Sequence, residues 1–159
     1  MKLFPLGDNQ AIEVADSPAD IREQIYELER AMKAAPEEIK CNPEPVHHFA
    51  KGIYAREVTI PAGTIVVGEV HKTEHLCIVS KGKITVLTEQ GLKTIEAPCT
   101  IVSPPGTKRV GVTHTETVWT AIHGTNETDI EKLKTELIAE THEELSEAAI
   151  ERLSKLVGG

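Results

Sequence analysis

Between Val46 and Gly124 the apolar positions follow no helical period. They form short runs rich in Val, Ile and Thr, punctuated at near-regular intervals by Pro61-Ala62-Gly63, Lys81-Gly82, Gln90-Gly91 and Pro104-Pro105-Gly106. Proline fixes its own φ and glycine supplies conformations that side chains disfavour, so each cluster ends one extended run and begins another. Evenly spaced short strands predict an all-β sandwich or barrel.

The period changes at both ends. Ile21, Ile25, Leu28 and Met32 stand at helical spacing, with Ser17 as N-cap, Pro18 in the first turn and Pro36 beyond Ala35 as the stop. Asn42-Pro43-Glu44-Pro45 then breaks regular structure. After Thr128, a second helical run carries Ile130, Leu133, Leu137 and Ile138. A third opens at Thr141 with Glu144 as its capping-box partner, carries Leu145, Ala149, Leu153 and Leu156, and ends at Gly158-Gly159. The pattern predicts a mainly β protein in three parts: a helical extension over 1–45, a barrel over 46–126 and two helices over 127–159. The apolar stripes are expected to pack on the barrel or on another subunit, peripheral to any chemistry.

A chain of 159 residues has room for one ordinary domain. With 3 % aromatic residues its core must be aliphatic, with Tyr54 and Trp119 as isolated anchors. Cys41, Cys77 and Cys99 are odd in number and widely spaced, which points to a reducing compartment. The apolar run Leu3 to Leu6 is broken by Pro5, and no segment reaches the roughly 18 apolar residues of a membrane helix. The expected location is the cytoplasm, with no membrane partner. The net charge of −8 resides at the ends, since residues 41–126 carry seven acidic and eight basic groups. Acidic ends repel nucleic acid, while the middle is left able to attract an anion.

The most specific stretch reads G-x5-E-x-H-x3-H-x6-G, from Gly63 through Glu69, His71 and His75 to Gly82. Strand alternation places Glu69 and His71 on one face, and a bend returns His75 to it. Two imidazoles and a carboxylate suit divalent iron, manganese, nickel or zinc, and equally an acid/base site without metal. Cys77 shares parity with His75; Glu74 should face out. By the same alternation Tyr54 and Arg56 reach toward the barrel mouth or snorkel at a strand end, and Trp119 and His123 either pack or line a pocket. His47, His48, His114 and His142 join no constellation.

These intervals resemble the first motif of the cupin superfamily, G-x5-H-x-H-x3,4-E-x6-G, with the histidine and glutamate order changed. The second motif, G-x5-P-x-G-x2-H-x3-N, is similar to Pro98-x5-Pro104-x-Gly106-x2-Arg109-x3-Thr113. The resemblance covers residues 46–124 and implies a double-stranded β-helix barrel, or jelly roll, with a metal held by Glu69, His71 and His75. It also implies that Arg109 stands where the family places a fourth ligand. A guanidinium stays protonated and cannot ligate, but it pairs well with a carboxylate or phosphate. The arrangement is also similar to small cupins of tailed bacteriophages, which implies expression in a host cytoplasm. The expected function is binding of a small anionic molecule, with Arg109, Arg56, Tyr54, Trp119 and His123 as lining and with a nucleotide-derived signal as one ligand that the phage likeness suggests. The alternatives are a metal-dependent oxygenase, isomerase or lyase, and a purely structural protein. A homodimer is the expected assembly, because cupin-like sandwiches leave protected edges that pair between subunits.

Overall fold

The computed structural model describes residues 2–7 and 9–144. The chain opens with a hairpin, β1 (Leu3–Gly7) and β2 (Gln10–Glu13), followed by helix α1 (Pro18–Ala34) and a short 3-10 turn. Ten strands follow: β3 (Val46–Ala50), β4 (Ile53–Ile60), β5 (Ile65–Val67), β6 (Val70–His71), β7 (His75–Lys81), β8 (Lys83–Thr88), β9 (Gly91–Glu96), β10 (Cys99–Ser103), β11 (Val110–Thr113) and β12 (Thr117–Gly124). Helix α2 (Ile130–Leu137) and a final strand, β13 (Ile138–Ala139), close the described chain. A five-stranded sheet ordered β10-β7-β12-β4-β3 faces a four-stranded sheet ordered β5-β11-β8-β9, all pairs antiparallel. This is the all-β barrel that the strand pattern predicts, in the jelly-roll arrangement that the resemblance implies.

Each turn signal acts as its chemistry requires. At Gly82 φ is +90°, and a Cβ would strike the Glu116 carbonyl and come within 2.8 Å of the Thr117 Cα, so the β7–β8 turn admits glycine alone. Thr113 is 1 % exposed and donates from Oγ1 to the Pro61 carbonyl at 2.6 Å, tying down the Pro61 to Gly63 turn.

The barrel interior is built on Val79, Ile84, Val86 and Ile95, with Trp119 packed against them. A second cluster lies on the opposite side of β8 and β11. There Leu87, Val110 and Val112 meet Phe4, Val14, Ile21 and Ile25 from the hairpin and α1. These two strands are therefore covered on both faces, and Ile84 to Leu87 and Val110 to Thr113 are buried without a break. Ser17 caps α1 by accepting from the Asp20 amide at 3.2 Å, as its position predicts. The hairpin was not legible in the short run Leu3 to Leu6; its Phe4 is 0 % exposed.

A third cluster joins Tyr54 to Leu133 and Leu137 of α2. Ile138, expected to continue the helix, instead leaves it and pairs with His71, while Ala139 pairs with Val70. Thr141 accepts from the Glu144 amide at 3.2 Å, the first bond of the expected cap. Leu145, Ala149, Leu153 and Leu156 lie outside the described residues. Among the described residues no helix is long and apolar enough to cross a membrane.

Docking of α1 depends on its apolar stripe, and Ile25 at its centre is 0 % exposed. Ile25→Ala should destabilise the protein by about 2–5 kcal/mol, the range for a large aliphatic side chain truncated in a core. Urea unfolding by circular dichroism would show this as a lower midpoint with an unchanged slope.

Candidate functional site

The ladder between β12 and β7 sets Ile122 opposite Leu76 and Ala121 opposite Cys77, so His123 and His75 arrive together at the same end of the five-stranded sheet. Alternation turns both inward: His75, Cys77 and Val79 are buried while Leu76 is exposed. His71 comes from β6, a strand of two residues held in place from outside the barrel sheets. The pairing of β6 with β13 fixes it, and the Lys72 amide donates to the Leu137 carbonyl at 2.7 Å. The segment after the barrel is thus not peripheral, because it forms the support beneath one of the site histidines.

The three imidazoles close on one another, with ring centroids 4.2 Å apart for His71 and His75, 4.6 Å for His75 and His123, and 5.0 Å for His71 and His123. One nitrogen from each lies within 4.8 Å of the others. Glu69 is not brought to this group; it is exposed. Between β5 and β6 the strand breaks, and the Gly68 amide donates to the Arg109 carbonyl at 2.8 Å, so the alternation that would align Glu69 with His71 does not run through the break. His123, read from sequence as a packing or lining residue, takes the third place. The signal for it was the alternation of Trp119, Ala121 and His123, but only the register to β7 shows where that strand ends.

Burial defines the protonation of the group. His71 is pushed down from 6.5 to about 3, by burial first and then by His75, His123, Arg109 and Arg56. His123 is pushed down to about 4 by burial and then by His75. His75 is lowered chiefly by burial, against a bond to the Thr73 carbonyl that favours its protonated form. All three imidazoles are neutral near neutrality, with lone pairs available. His75 Nδ1 lies 3.1 Å from the Thr73 carbonyl oxygen, which can only accept, so Nδ1 carries the proton and Nε2 the lone pair. Among the described residues, the buried side-chain polar atoms without a hydrogen-bond partner are His71 Nδ1 and His123 Nδ1. Orphaned buried nitrogens are costly, and a metal ion is one group that would satisfy them.

Arg109 enters the same space. Its guanidinium donates from Nη2 to Ser103 Oγ at 3.3 Å and lies 5.2 Å from the Trp119 ring centroid. Ser103, 0 % exposed and paired with His75 across β10 and β7, carried no signal in the sequence. Cys77 is 1 % exposed, and burial pushes its thiol up, against the lowering influence of Arg109 and Trp119; it stays a thiol rather than a nucleophilic thiolate. Tyr54 is buried, stacks on His123 at 6.2 Å and places its hydroxyl 2.7 Å from His47 Nδ1, so it plugs the barrel beneath α2. Arg56 is exposed on the same strand.

No family model and no curated protein matches the sequence. Solved structures do share the fold. The salicylate 1,2-dioxygenase of Pseudaminobacter salicylatoxidans superposes with a TM-score of 0.50 at 11 % identity, over 72 % of this chain and 34 % of its own, so this chain spans about a third of that enzyme. A cupin-2 domain protein from Shewanella frigidimarina gives 0.44 at 16 % identity over 60 % and 98 % of the two chains. KdgF from Halomonas sp. gives 0.46 at 12 % over 58 % and 90 %. The likeness at a TM-score of 0.50 shows a shared fold and nothing finer, and none of the three lends the bacteriophage resemblance support.

The depressed histidines fix a pH dependence. As pH falls below about 6.5 the unfolded chain takes up protons that the folded chain refuses until about 4 at His123 and about 3 at His71. Stability is therefore undiminished above that range and is lost as pH falls, by at most about 1.4 kcal/mol per pH unit for each histidine. The urea midpoint of metal-free protein should drop steadily between about pH 7 and pH 5, and less steeply in His71→Gln. Equal slopes in the two proteins would show that His71 titrates as an ordinary histidine.

Proposed function

We propose that this cupin-fold protein holds a divalent metal on His71, His75 and His123 and, with Arg109, captures a small anionic molecule beside it. The observation that carries this reading is a set of three neutral imidazoles within ligand distance of one another, two with orphaned nitrogens, next to an inward guanidinium. The donor set fits the group: neutral nitrogens need lose no proton on binding, and three imidazoles suit zinc, iron or nickel better than manganese, which favours oxygen ligands. With no carboxylate among the ligands, the charge of a divalent ion would be uncompensated, and Arg109 adds another positive charge. Such a site selects anions, with carboxylates and phosphates, including nucleotide-derived phosphates, as the matching chemistry.

A bound metal would supply Lewis-acid polarisation of a ligand oxygen. The chain's own part is to orient the anion through the Arg109 fork, anchored on Ser103 and stacked on Trp119, and to keep the surroundings dry with Val79 and Tyr54. Three protein ligands leave coordination positions open, which also supports a second reading as a metal-dependent oxygenase, isomerase or lyase.

Calorimetry with Zn²⁺ should show His71→Ala and His123→Ala each losing at least tenfold in metal affinity, while Glu69→Gln stays unchanged. Arg109→Gln should leave Zn²⁺ binding intact and weaken oxalate or inorganic phosphate by about 1.5–3 kcal/mol, the range for a hydrogen bond to a charged group. Equal Zn²⁺ affinity in wild type and both histidine variants would overturn the metal reading.

For the assembly we propose a homodimer packed through the outer face of the five-stranded sheet. Register aligns Val102, Leu76, Ile122, Ala55 and His48 in one row across all five strands, and Val102 and Leu76 are 59 % and 41 % exposed. Apart from His48 that row carries no ionisable side chain, whereas the acidic ends of a chain of net charge −8 repel those of its copy. A second copy related by a two-fold axis would bury the row against itself. Wild type should sediment as a dimer and Leu76→Arg as a folded monomer; a monomeric wild type at micromolar concentration would sink this assembly.

A further inference from the structure

Lys108 and Arg109 are adjacent in the chain and point to opposite sides of the sheet. Arg109 reaches Ser103 in the barrel, whereas Lys108 lies on the α1 side and is 1 % exposed. Its Nζ sits 3.0 Å from Glu29 Oε1 and 5.1 Å from the centroid of Tyr26, both residues of α1. A buried ammonium is tolerated only while it is paired, since stripping its water without compensation costs several kcal/mol. Lys108 therefore keeps this position only while α1 presents Glu29 and Tyr26.

The segment that carries this pair is tied to both sides. Tyr26 Oη lies 2.7 Å from His142 Nδ1, and His142 Nε2 lies 2.7 Å from the Gly106 carbonyl. The Gly106 amide donates to the carbonyl of His71 at 2.9 Å, and the Arg109 carbonyl accepts from Gly68 at 2.8 Å. Arg22 clamps the other end of α1 through a bidentate pair with Glu89, with both bonds 2.7 Å long. A continuous run of bonds thus leads from one helix, through residues 104–109, to the backbone of a site histidine and to the site arginine.

We infer that the Lys108–Glu29 pair positions Arg109, so that the docking of α1 sets the affinity of the barrel site for its anion. This rests on the reading of Arg109 as the anion-binding residue. Consecutive Cα atoms are a fixed 3.8 Å apart, so a displacement of Lys108 is carried directly to its neighbour, and bidentate pairing with a carboxylate is sensitive to the direction of the fork. Lys108 is a positioning residue here, with its own charge spent on Glu29.

The test uses full-length protein loaded with Zn²⁺, oxalate as the anion and calorimetry as the readout. Glu29→Gln leaves the ammonium unpaired and should raise the oxalate Kd roughly 5- to 30-fold, a coupling of ordinary size, while the Kd for Zn²⁺ changes less than about twofold. Adding Lys108→Met to Glu29→Gln removes the unpaired charge and should bring the oxalate Kd back to within about threefold of wild type. If Glu29→Gln does not fold, Glu29→Asp keeps the charge but withdraws it by one methylene, and should raise the oxalate Kd by about two- to fivefold. Unchanged oxalate binding in these variants, with Arg109→Gln still weakened, overturns the positioning role and leaves the site reading standing. A loss of Zn²⁺ affinity equal to the loss of oxalate affinity also overturns it, because that marks a general loosening of the site. If Arg109→Gln itself binds oxalate like wild type, the site reading fails, and the inference fails with it.

Discussion

The burial of β11 on both faces is the constraint on which the remaining structure depends. A strand in that position must present apolar or fully satisfied side chains to two cores at once, and Val110 and Val112 meet α1 and the hairpin while Gly111 and Thr113 face the barrel. Gly111 is needed for space, since a Cβ there would come within 2.8 Å of Ile84 Cδ1. Just before the strand, Lys108 meets Glu29 of the helix while Arg109 turns to Ser103 and the site. The packing of α1 and the chemistry of the barrel mouth thus meet at this strand and the two residues before it.

The histidine group shows how a barrel makes a metal-ready site from residues that would otherwise destabilise it. Burial penalises the imidazolium more than the imidazole, so the fold selects the form with a free lone pair. Among the described residues no carboxylate joins the group, and Arg109 reinforces the refusal of protons at His71 and His75. The support is correspondingly broad: β7 and β12 belong to one sheet, whereas β6 is held by β13 at the end of α2. A site assembled from elements so distant in sequence exists only once β6, β7, β12 and β13 have come together.

Much of the fold was legible in the sequence because it is written in short-range terms. The proline and glycine turns around Gly63, Gly82 and Gly106, and the Ser17-Pro18 start of α1, act through their own backbone angles and nearest amides, so local chemistry decides them. The β1–β2 hairpin and the departure of Ile138 into β13 escaped, because each owes its structure to a distant surface on which it packs or pairs. Phe4 is buried against α1 and the four-stranded sheet, and Ile138 exchanges a further helical turn for a ladder with His71.

The site divides along the same line. The sequence by itself determined that His71 and His75 stand at a spacing suited to a shared ligand, for which strand parity and a bend are enough. That Arg109 stands where a fourth ligand would be is what the cupin resemblance implies, and parity does not show it. Only the tertiary structure decided that His123 rather than Glu69 completes the group, that Ser103 anchors the arginine, and that Lys108 is buried against Glu29. Each of these depends on a strand break, on the register between strands far apart in sequence, or on which face a helix covers. Alternation within one strand carries no information about any of them, because inward and outward acquire meaning only after two layers have packed.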